Sequence, residues 1–468
     1  MPVFRWEAYS ALYSLSRYSR SCSVRIRIIK QHSPEGEPKT MIVILVSIAF
    51  IVLLFVGMPI SFTIGLSAMI ASFLDSGISP TAITTKLVTG IDTFPLMAGA
   101  FFILAGEIMS TGSITKRLVE FSKVLIGRVR GGTSLTAVAA SVFFAGISGA
   151  AVADLAAVGS MLTPAMKQEG YDDDFATALP VAASVVGPII PPSTIMVIYA
   201  MATGTSIGAL FIAGIVPGLL FGVAIGGLAY YYSVKRKYPR NDAPFPGFWE
   251  FFKLTRKAVL VLFMPIIIVG GVLSGAFTAT ESGNIAAVYA LILSVFVYRE
   301  YKLKDLYRVM VNSSVTISIA LLVISTASSL AWIFSIMQLP QQALIFMTSI
   351  SENPYVFLAL LNLLLLIAGM FLDPGAAIIL LAPMLVPLTR YFNIDPLHMA
   401  IVVCLNLTVG LITPPVGVCL YVGAGIGKIS IERVIKNVFP FMILELGLVL
   451  LITYFPIIAT ALPRALGY

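Results

Sequence analysis

Apolar stretches near twenty residues long recur along the chain, divided by short polar connections. They predict membrane-spanning helices near 41–57, 58–75, 94–111, 176–203, 206–234, 257–275, 278–298, 313–336, 397–425 and 437–460. Two more apolar segments, 133–166 and 355–388, are too long for one crossing. Each is interrupted by small or polar residues, SGAAVAD at 148–154 and FLDPGAA at 371–377. Such a segment reads as a re-entrant helical hairpin, entering and leaving on one side. Two short spans joined by a turn is the plainer alternative. A further interruption falls inside the span 176–203, where GPIIPPS (187–193) packs three prolines and a glycine into seven residues. Proline has no amide to donate and clashes with the preceding turn, so the helix must unwind there.

The halves repeat. MLTPAMK at 161–167 matches MLVPLTR at 384–390, and GPIIPPS at 187–193 matches GLITPPV at 410–416, both at an offset of 223. The same offset carries Ser148 of the first hairpin onto Phe371 of the second. An internal duplication is expected, with repeats 41–236 and 257–465. Loop charge gives their relative orientation. Residues 112–131 carry Lys116, Arg117, Lys123, Arg128 and Arg130, whereas their counterparts at 335–354 carry no Lys or Arg. Conversely 299–308 carries four basic residues and 76–85 none. Opposite bias in corresponding loops means opposite facing, so the predicted fold is an all-α polytopic membrane protein. It has an inverted-topology repeat, two re-entrant hairpins and two discontinuous helices, the signature of a secondary transporter. Segments 112–131, 234–257 and 428–436 are then cytoplasmic. KQEGYDDD (167–174) falls on the same side although it is acidic.

Composition narrows the function. Of 468 residues 58% are hydrophobic and 11% charged, far below the roughly 25% charged of soluble domains. The net charge of +8 sits in short loops, as orientation in a membrane requires, and not in a nucleic-acid-binding patch. Cys22, Cys404 and Cys419 form no paired framework, and His32 and His398 are too few for a His-rich metal site. GRVRGGTS at 127–134 lacks the Lys-Ser/Thr ending of a phosphate-binding loop. Transport energy is therefore expected from an ion gradient. No catalytic group and no cofactor is expected. Residues 1–40 hold seven Lys/Arg against three acids and no signal-peptide apolar core. They read as a tail or as an upstream extension before a start at Met41.

An unwound backbone at membrane depth is tolerated only inside protein or against a wet cavity. Freed carbonyls are ligands for a hard cation, and half-helix ends suit ions of either sign. The hairpin tips supply Ser148, Gly149 and Ala150 beside the first break, and Asp373 beside the second. Asp373-Pro374 also has the form of an ordinary helix start. Ala150, Asp154, Ser193, Asn406 and Thr408 are candidates for a substrate cavity. Asn406 and Thr408 have helix–helix adhesion as their plainer reading, and Thr413 lies inside the second break. Glu107 and Glu281 are expected to be buried acids in structural pairs.

SGAAVAD, GPIIPPS, FTATESG, GMFLDPGAA and GLITPPVG, in this order, resemble the large membrane subunit of TRAP transporters, over about 41–468. The resemblance implies a sodium-coupled elevator importing organic acids, C4-dicarboxylates or sugar acids, across the bacterial inner membrane. It implies two partners, a small four-helix membrane subunit and a periplasmic substrate-binding protein. It places one Na⁺ on Ser148, Gly149, Gly187 and Pro191, and another on Asp373, Gly410, Thr413 and Pro414. Ala150 stands where family members often carry a second serine, which shifts weight there onto backbone carbonyls. The alternative is a stand-alone sodium–dicarboxylate or anion symporter of the same superfamily.

Overall fold

A computed structural model describes residues 36–468 apart from 76, 111–112, 241–247, 300 and 302. Most of the tail 1–40, with Cys22 and His32, lies outside the described residues. The first described helix, Gly36–Phe55, begins ahead of Met41. The chain divides into two compact units, one ending at Ile83 and one running from Thr84 to Tyr468. In the first unit Gly36–Phe55 packs against Ile60–Leu74, burying Ile64, Ala68 and Ala71 on one face. That spacing of four and three residues is the period of a helix.

In the second unit the described structure is helical, with one isolated antiparallel bridge between Arg130 and Arg240. By length and apolarity five described helices can each cross a bilayer: Ile207–Lys235, Ala279–Val297, Lys304–Ile336, Pro354–Phe371 and Ile431–Tyr454. The number rises to seven if each of two bent pairs counts as one span. The predicted spans 176–203 and 397–425 are divided by breaks, and 58–75 is one helix of 15 residues, Ile60–Leu74.

Both expected hairpins are present. The first comprises Gly132–Ser148 and a return arm made of Ala151–Asp154, a π-turn at Leu155–Gly159 and Ser160–Gln168. The second comprises Pro354–Phe371 and Pro374–Tyr391. Its return arm bends by 60° between Pro374–Ala382 and Met384–Tyr391, where residue 383 is a proline and donates no amide. Both discontinuous helices are present too. Asp173–Ala183 stops, after a 3₁₀ turn at Ser184–Val186, before the chain resumes as Thr194–Thr203; Pro396–Gly410 stops before Val418–Gly427. The Pro191–Pro192 and Pro414–Pro415 bonds are both cis.

Two segments read as loops are helices. Ser113–Ile126 lies within 112–131 and Leu339–Ile350 within 335–354. Ile114, Leu118 and Ser122 are buried along one face of the former while Lys116 and Lys123 stay exposed, the amphipathic period of a surface helix. Glu281 also differs from expectation: it is exposed. It completes a capping box, its Oε2 accepting from the Thr278 amide at 2.7 Å while Thr278 Oγ1 accepts from the Glu281 amide at 3.2 Å. Glu107 is half-buried.

The acidic segment 167–174 finds its explanation here. Glu169 pairs with Lys123 at 3.4 Å, Asp172 with Arg236 at 2.9 Å, Asp173 with Lys167 at 3.6 Å, and Asp174 with Arg433 at 2.6 Å. Lys123, Arg236 and Arg433 come from the three segments that loop charge assigned to the cytoplasm. The acids are therefore neutralised at the basic end of the molecule. Tyr238 also donates to Asp172 Oδ2 at 2.6 Å, and together these contacts hold the Asp172 carboxyl below the usual carboxylate range, the tyrosine hydroxyl contributing most. At the equivalent place 223 residues on, Asp395 caps Pro396–Gly410 and pairs with Arg464 at 2.9 Å.

Candidate functional site

The first hairpin tip sits on the first break. Gly132–Ser148 ends at Gly149, whose φ of +61° is left-handed. A Cβ there would fall within 3.0 Å of the Pro192 carbonyl oxygen, so glycine is required both by backbone angle and by space. One residue on, the Ala150 carbonyl oxygen lies 3.1 Å from where a Cβ on Gly187 would stand. The break is rich in unused acceptors. Among the described residues the carbonyls of Gly187, Ile189, Ile190, Pro191 and Pro192 take no backbone hydrogen bond, and Pro188 accepts only from Ser193 Oγ at 2.5 Å. Ser148 is buried, and its hydroxyl has no hydrogen-bond partner among the described residues. A buried hydroxyl without a partner costs free energy.

The second set is built the same way with different side chains. Gly369, on the ascending arm four residues before Asp373, has its backbone against Gly410; a Cβ on either would press on the backbone of the other. Asp373 caps the return arm, Oδ1 accepting from the amides of Gly375 (2.9 Å) and Ala376 (3.3 Å). Oδ2 takes no described hydrogen bond and the residue is exposed. Both sequence readings of Asp373, cap and available carboxylate, thus coexist. Thr413 is buried and donates to the Val409 carbonyl at 2.8 Å, which leaves its lone pairs available. The carbonyls of Ile412, Thr413, Pro414, Pro415 and Val416 accept no described backbone hydrogen bond.

The two sets interlock. Val418–Gly427 packs on the return arm of the first hairpin, and Thr194–Thr203 packs on the return arm of the second. Lys167, near the end of the first hairpin, donates to the carbonyl of Gly427 at 2.6 Å, a cation at a helix C-terminus. Gly375, at the second tip, lies against the Ile198 side chain. Each tip therefore touches or neighbours parts of both discontinuous helices.

The cavity candidates divide. Ala150 is extended and lies at the first tip. Asp154 is fully buried, and the Ser141 hydroxyl is a polar group that faces its carboxylate. It directly precedes the π-turn, a distortion found often at functional sites. Ser193 is spent on structure: it accepts from the Met196 amide and caps Thr194–Thr203. Asn406 donates to Asn362 Oδ1 at 2.5 Å and to the Val402 carbonyl at 2.8 Å, while Thr453 donates to the same Asn362 oxygen at 3.2 Å. Thr408 donates back to Cys404 at 2.7 Å. Asn406 and Thr408 therefore use their donors as adhesion between and within helices. One buried acid was missed in sequence. Glu445 is wholly inaccessible on Ile431–Tyr454, and both its oxygens lack partners among the described residues. Its signal was a single acid within an apolar span.

Oxygen ligands converging from a tip and a broken helix suit a hard monovalent cation. Carbonyls in such a place replace a hydration shell, and the half-helix ends around them carry partial charges. No acid–base or nucleophile pair of an enzyme is needed for that work.

Comparison with known proteins agrees with this architecture. Residues 47–458 match the family described as "Tripartite ATP-independent periplasmic transporter, DctM component". The chain is 37% identical over 405 residues to the C4-dicarboxylate TRAP transporter large permease protein of Pseudomonas aeruginosa, covering 86% of this chain and 94% of that one. It is 37% identical over 417 residues to the sialic acid TRAP transporter large permease protein of Vibrio cholerae, covering 89% and 97%. Its fold is similar to that of the Alcanivorax borkumensis YdaH transporter, with TM-score 0.59 and 14% identity over 80% of this chain and 88% of that one. A multi-pass helical chain with two broken helices, matched along nearly its whole length, belongs to the DctM family, the large permease component of tripartite ATP-independent periplasmic transporters.

Proposed function

We propose that this chain is the permease subunit of a Na⁺-coupled tripartite importer of small organic acids in the bacterial inner membrane. One Na⁺ is held by Ser148, Gly149, Gly187 and Pro191, and a second by Asp373, Gly410, Thr413 and Pro414. Residues 41–236 and 257–465 form the inverted repeats, and the hairpins with the discontinuous helices move as one elevator body. The partners are a small four-helix membrane subunit and a periplasmic binding protein that delivers the substrate. The relatives are named for C4-dicarboxylates, sialic acid and 2,3-diketo-L-gulonate, all anions at neutral pH, and a cation beside each tip lowers the cost of bringing an anion to that depth.

The observation that carries the reading is the buried Ser148 hydroxyl, without a hydrogen-bond partner among the described residues, beside a break most of whose carbonyls accept no described backbone hydrogen bond. The test is reconstitution of the chain with its small subunit and binding protein in liposomes. An inward Na⁺ gradient should drive uptake of the organic acid that the binding protein holds, and K⁺ in place of Na⁺ should give none. Uptake independent of Na⁺ would reject the coupling. Equal uptake by the chain alone would favour a stand-alone symporter.

A further inference from the structure

A cavity at the basic end of the molecule plays no part in the ion sites proposed above. Its volume is about 280 Å³, and its charged and polar lining is Lys123, Thr133, Glu169 and Arg240. That is just below the roughly 300 Å³ at which small-ligand pockets begin, room for a polar headgroup.

The two bases come from separate parts of the chain. Lys123 is exposed on Ser113–Ile126. Arg240, exposed just past Ile207–Lys235, is held by its Nε, which donates to the Arg128 carbonyl at 3.3 Å. The Gly131 amide donates to the Pro239 carbonyl at 3.1 Å and joins these two walls. Gly132 also lines the cavity, and the helix it begins, Gly132–Ser148, has no side-chain cap. The positive end of that helix dipole therefore adds to the two bases.

The acid in the lining is already engaged. Glu169 accepts from the Thr133 hydroxyl and faces Lys123 at 3.4 Å. An exposed pair of that length is weak, so Lys123 can share an incoming anion. The lining keeps an excess of positive charge, and Arg130, joined to Arg240 by a backbone bridge, lies beside it. That balance suits an anion, whereas a ligand ammonium would find its acid spent.

Depth says which anion. The membrane-spanning helix Ile207–Lys235 carries exposed Tyr230 and Tyr231 near its end, and such tyrosines mark the headgroup level of a bilayer. Ser233, in the last turn, meets Ser134 of the first hairpin at 3.0 Å, which sets the cavity at that level. Leu125, Ile126 and Val129 are exposed alongside Lys123 and Arg130. Uncovered apolar residues interleaved with bases suit a segment lying in the bilayer interface, where basic side chains attract anionic lipid.

We infer that Lys123 and Arg240 form a binding site for the phosphate of an anionic phospholipid, whose acyl chains lie along Leu125, Ile126 and Val129. The bound headgroup fastens Ser113–Ile126 to the segment after Ile207–Lys235, at the base of the first hairpin. This rests on the chain's place in a membrane and not on sodium coupling.

Native mass spectrometry of the purified full chain in detergent tests it, with phosphatidylglycerol as the probe and phosphatidylethanolamine and inorganic phosphate as comparisons. The wild type should bind phosphatidylglycerol more tightly than phosphatidylethanolamine. Each basic contact near a membrane surface corresponds to about fivefold in affinity, so Lys123→Gln with Arg240→Gln should weaken phosphatidylglycerol about 30-fold. Lys123→Arg with Arg240→Lys keeps both charges and should bind nearly as the wild type does, which separates lost contacts from lost folding. Lys116→Gln with Lys304→Gln removes the same charge from exposed positions outside the cavity and should leave the affinity unchanged. Equal loss in the two glutamine pairs, or no loss in the first, would overturn the inference. Phosphatidylethanolamine bound as tightly would refute the selection of an anion, and phosphatidylglycerol displaced by millimolar inorganic phosphate would refute the lipid. None of these readouts involves Na⁺ or uptake, so the sodium reading stands or falls separately.

Discussion

Gly149→Ala is the substitution for which the structure supplies a magnitude. A β-carbon in left-handed backbone costs about 1–2 kcal/mol, and Gly149 has φ +61°. The new atom would also fall within 3.0 Å of the Pro192 carbonyl oxygen, a separation that real Cβ atoms essentially never show. The tip must draw back by several tenths of an ångström, and such overpacking costs about 1–3 kcal/mol. Gly204 separates these two contributions. It too ends a helix with a left-handed φ, +74°, but nothing lies within 4 Å of the place its Cβ would take. Gly204→Ala therefore pays only the backbone cost. The difference of about 1–3 kcal/mol falls on the tip–break contact, and at 1.4 kcal/mol per tenfold it corresponds to roughly 5- to 150-fold in ion affinity. The assay is the Na⁺ concentration giving half-maximal uptake in liposomes with both partners present. Gly149→Ala should raise it by about that factor at unchanged insertion, and Gly204→Ala should leave it near wild type. If the two variants shared one half-saturation value, the tip–break contact would not be part of an ion site.

Three other substitutions probe separate parts of the account. Ser148→Ala removes a hydroxyl with no protein partner, so thermal stability without Na⁺ should hold while the half-saturating Na⁺ concentration rises roughly ten- to a hundredfold, the value of about 1.5–3 kcal/mol for a hydrogen-bonding group facing charge. Asn406→Ala breaks the Asn362–Asn406–Thr453 network and should lower stability by about 1–2 kcal/mol, read as a lower unfolding midpoint, with a smaller change in Na⁺ dependence. Asp172→Asn tests the ion pairs of segment 167–174 by pH. The Asp172 carboxyl is depressed in the folded chain, chiefly by the Tyr238 hydroxyl and then by Arg236, so its stabilisation is complete above the unfolded value of about 3.9 and is lost as pH falls through the lower folded value. The melting temperature of the wild type should drop below pH about 4, and Asp172→Asn should flatten part of that drop.

The breaks and hairpins were legible because their causes are local. Pro191, Pro192, Pro414 and Pro415 lack amides wherever they stand, and Gly149 and Gly187 permit close backbone approach in any context. The repeat at 223 residues then paired the two breaks without coordinates. Charge obscured what periodicity could have revealed. Basic residues made 112–131 look like a loop, although Ile114, Leu118 and Ser122 already traced one face of a helix. Glu281 looked buried because it falls within the predicted span 278–298, but the Thr278–Glu281 spacing is that of a capping box. Tertiary pairings stayed out of reach. That Asn406 meets Asn362, 44 residues away, depends on which helix faces pack, and that Glu445 has no hydrogen-bond partner among the described residues depends on what the neighbouring helices present to it.

The central claim is that paired tips and breaks bind sodium. Thermal unfolding of the purified full chain, followed while Na⁺ replaces K⁺ at constant ionic strength, tests it without substrate or partners, because a ligand bound only by the folded state stabilises it by mass action. The account predicts a melting temperature that climbs with Na⁺ concentration and not with K⁺, and a response largely lost in a chain carrying Ser148→Ala and Gly149→Ala together with Gly410→Ala. Identical melting curves in Na⁺ and K⁺ would contradict it.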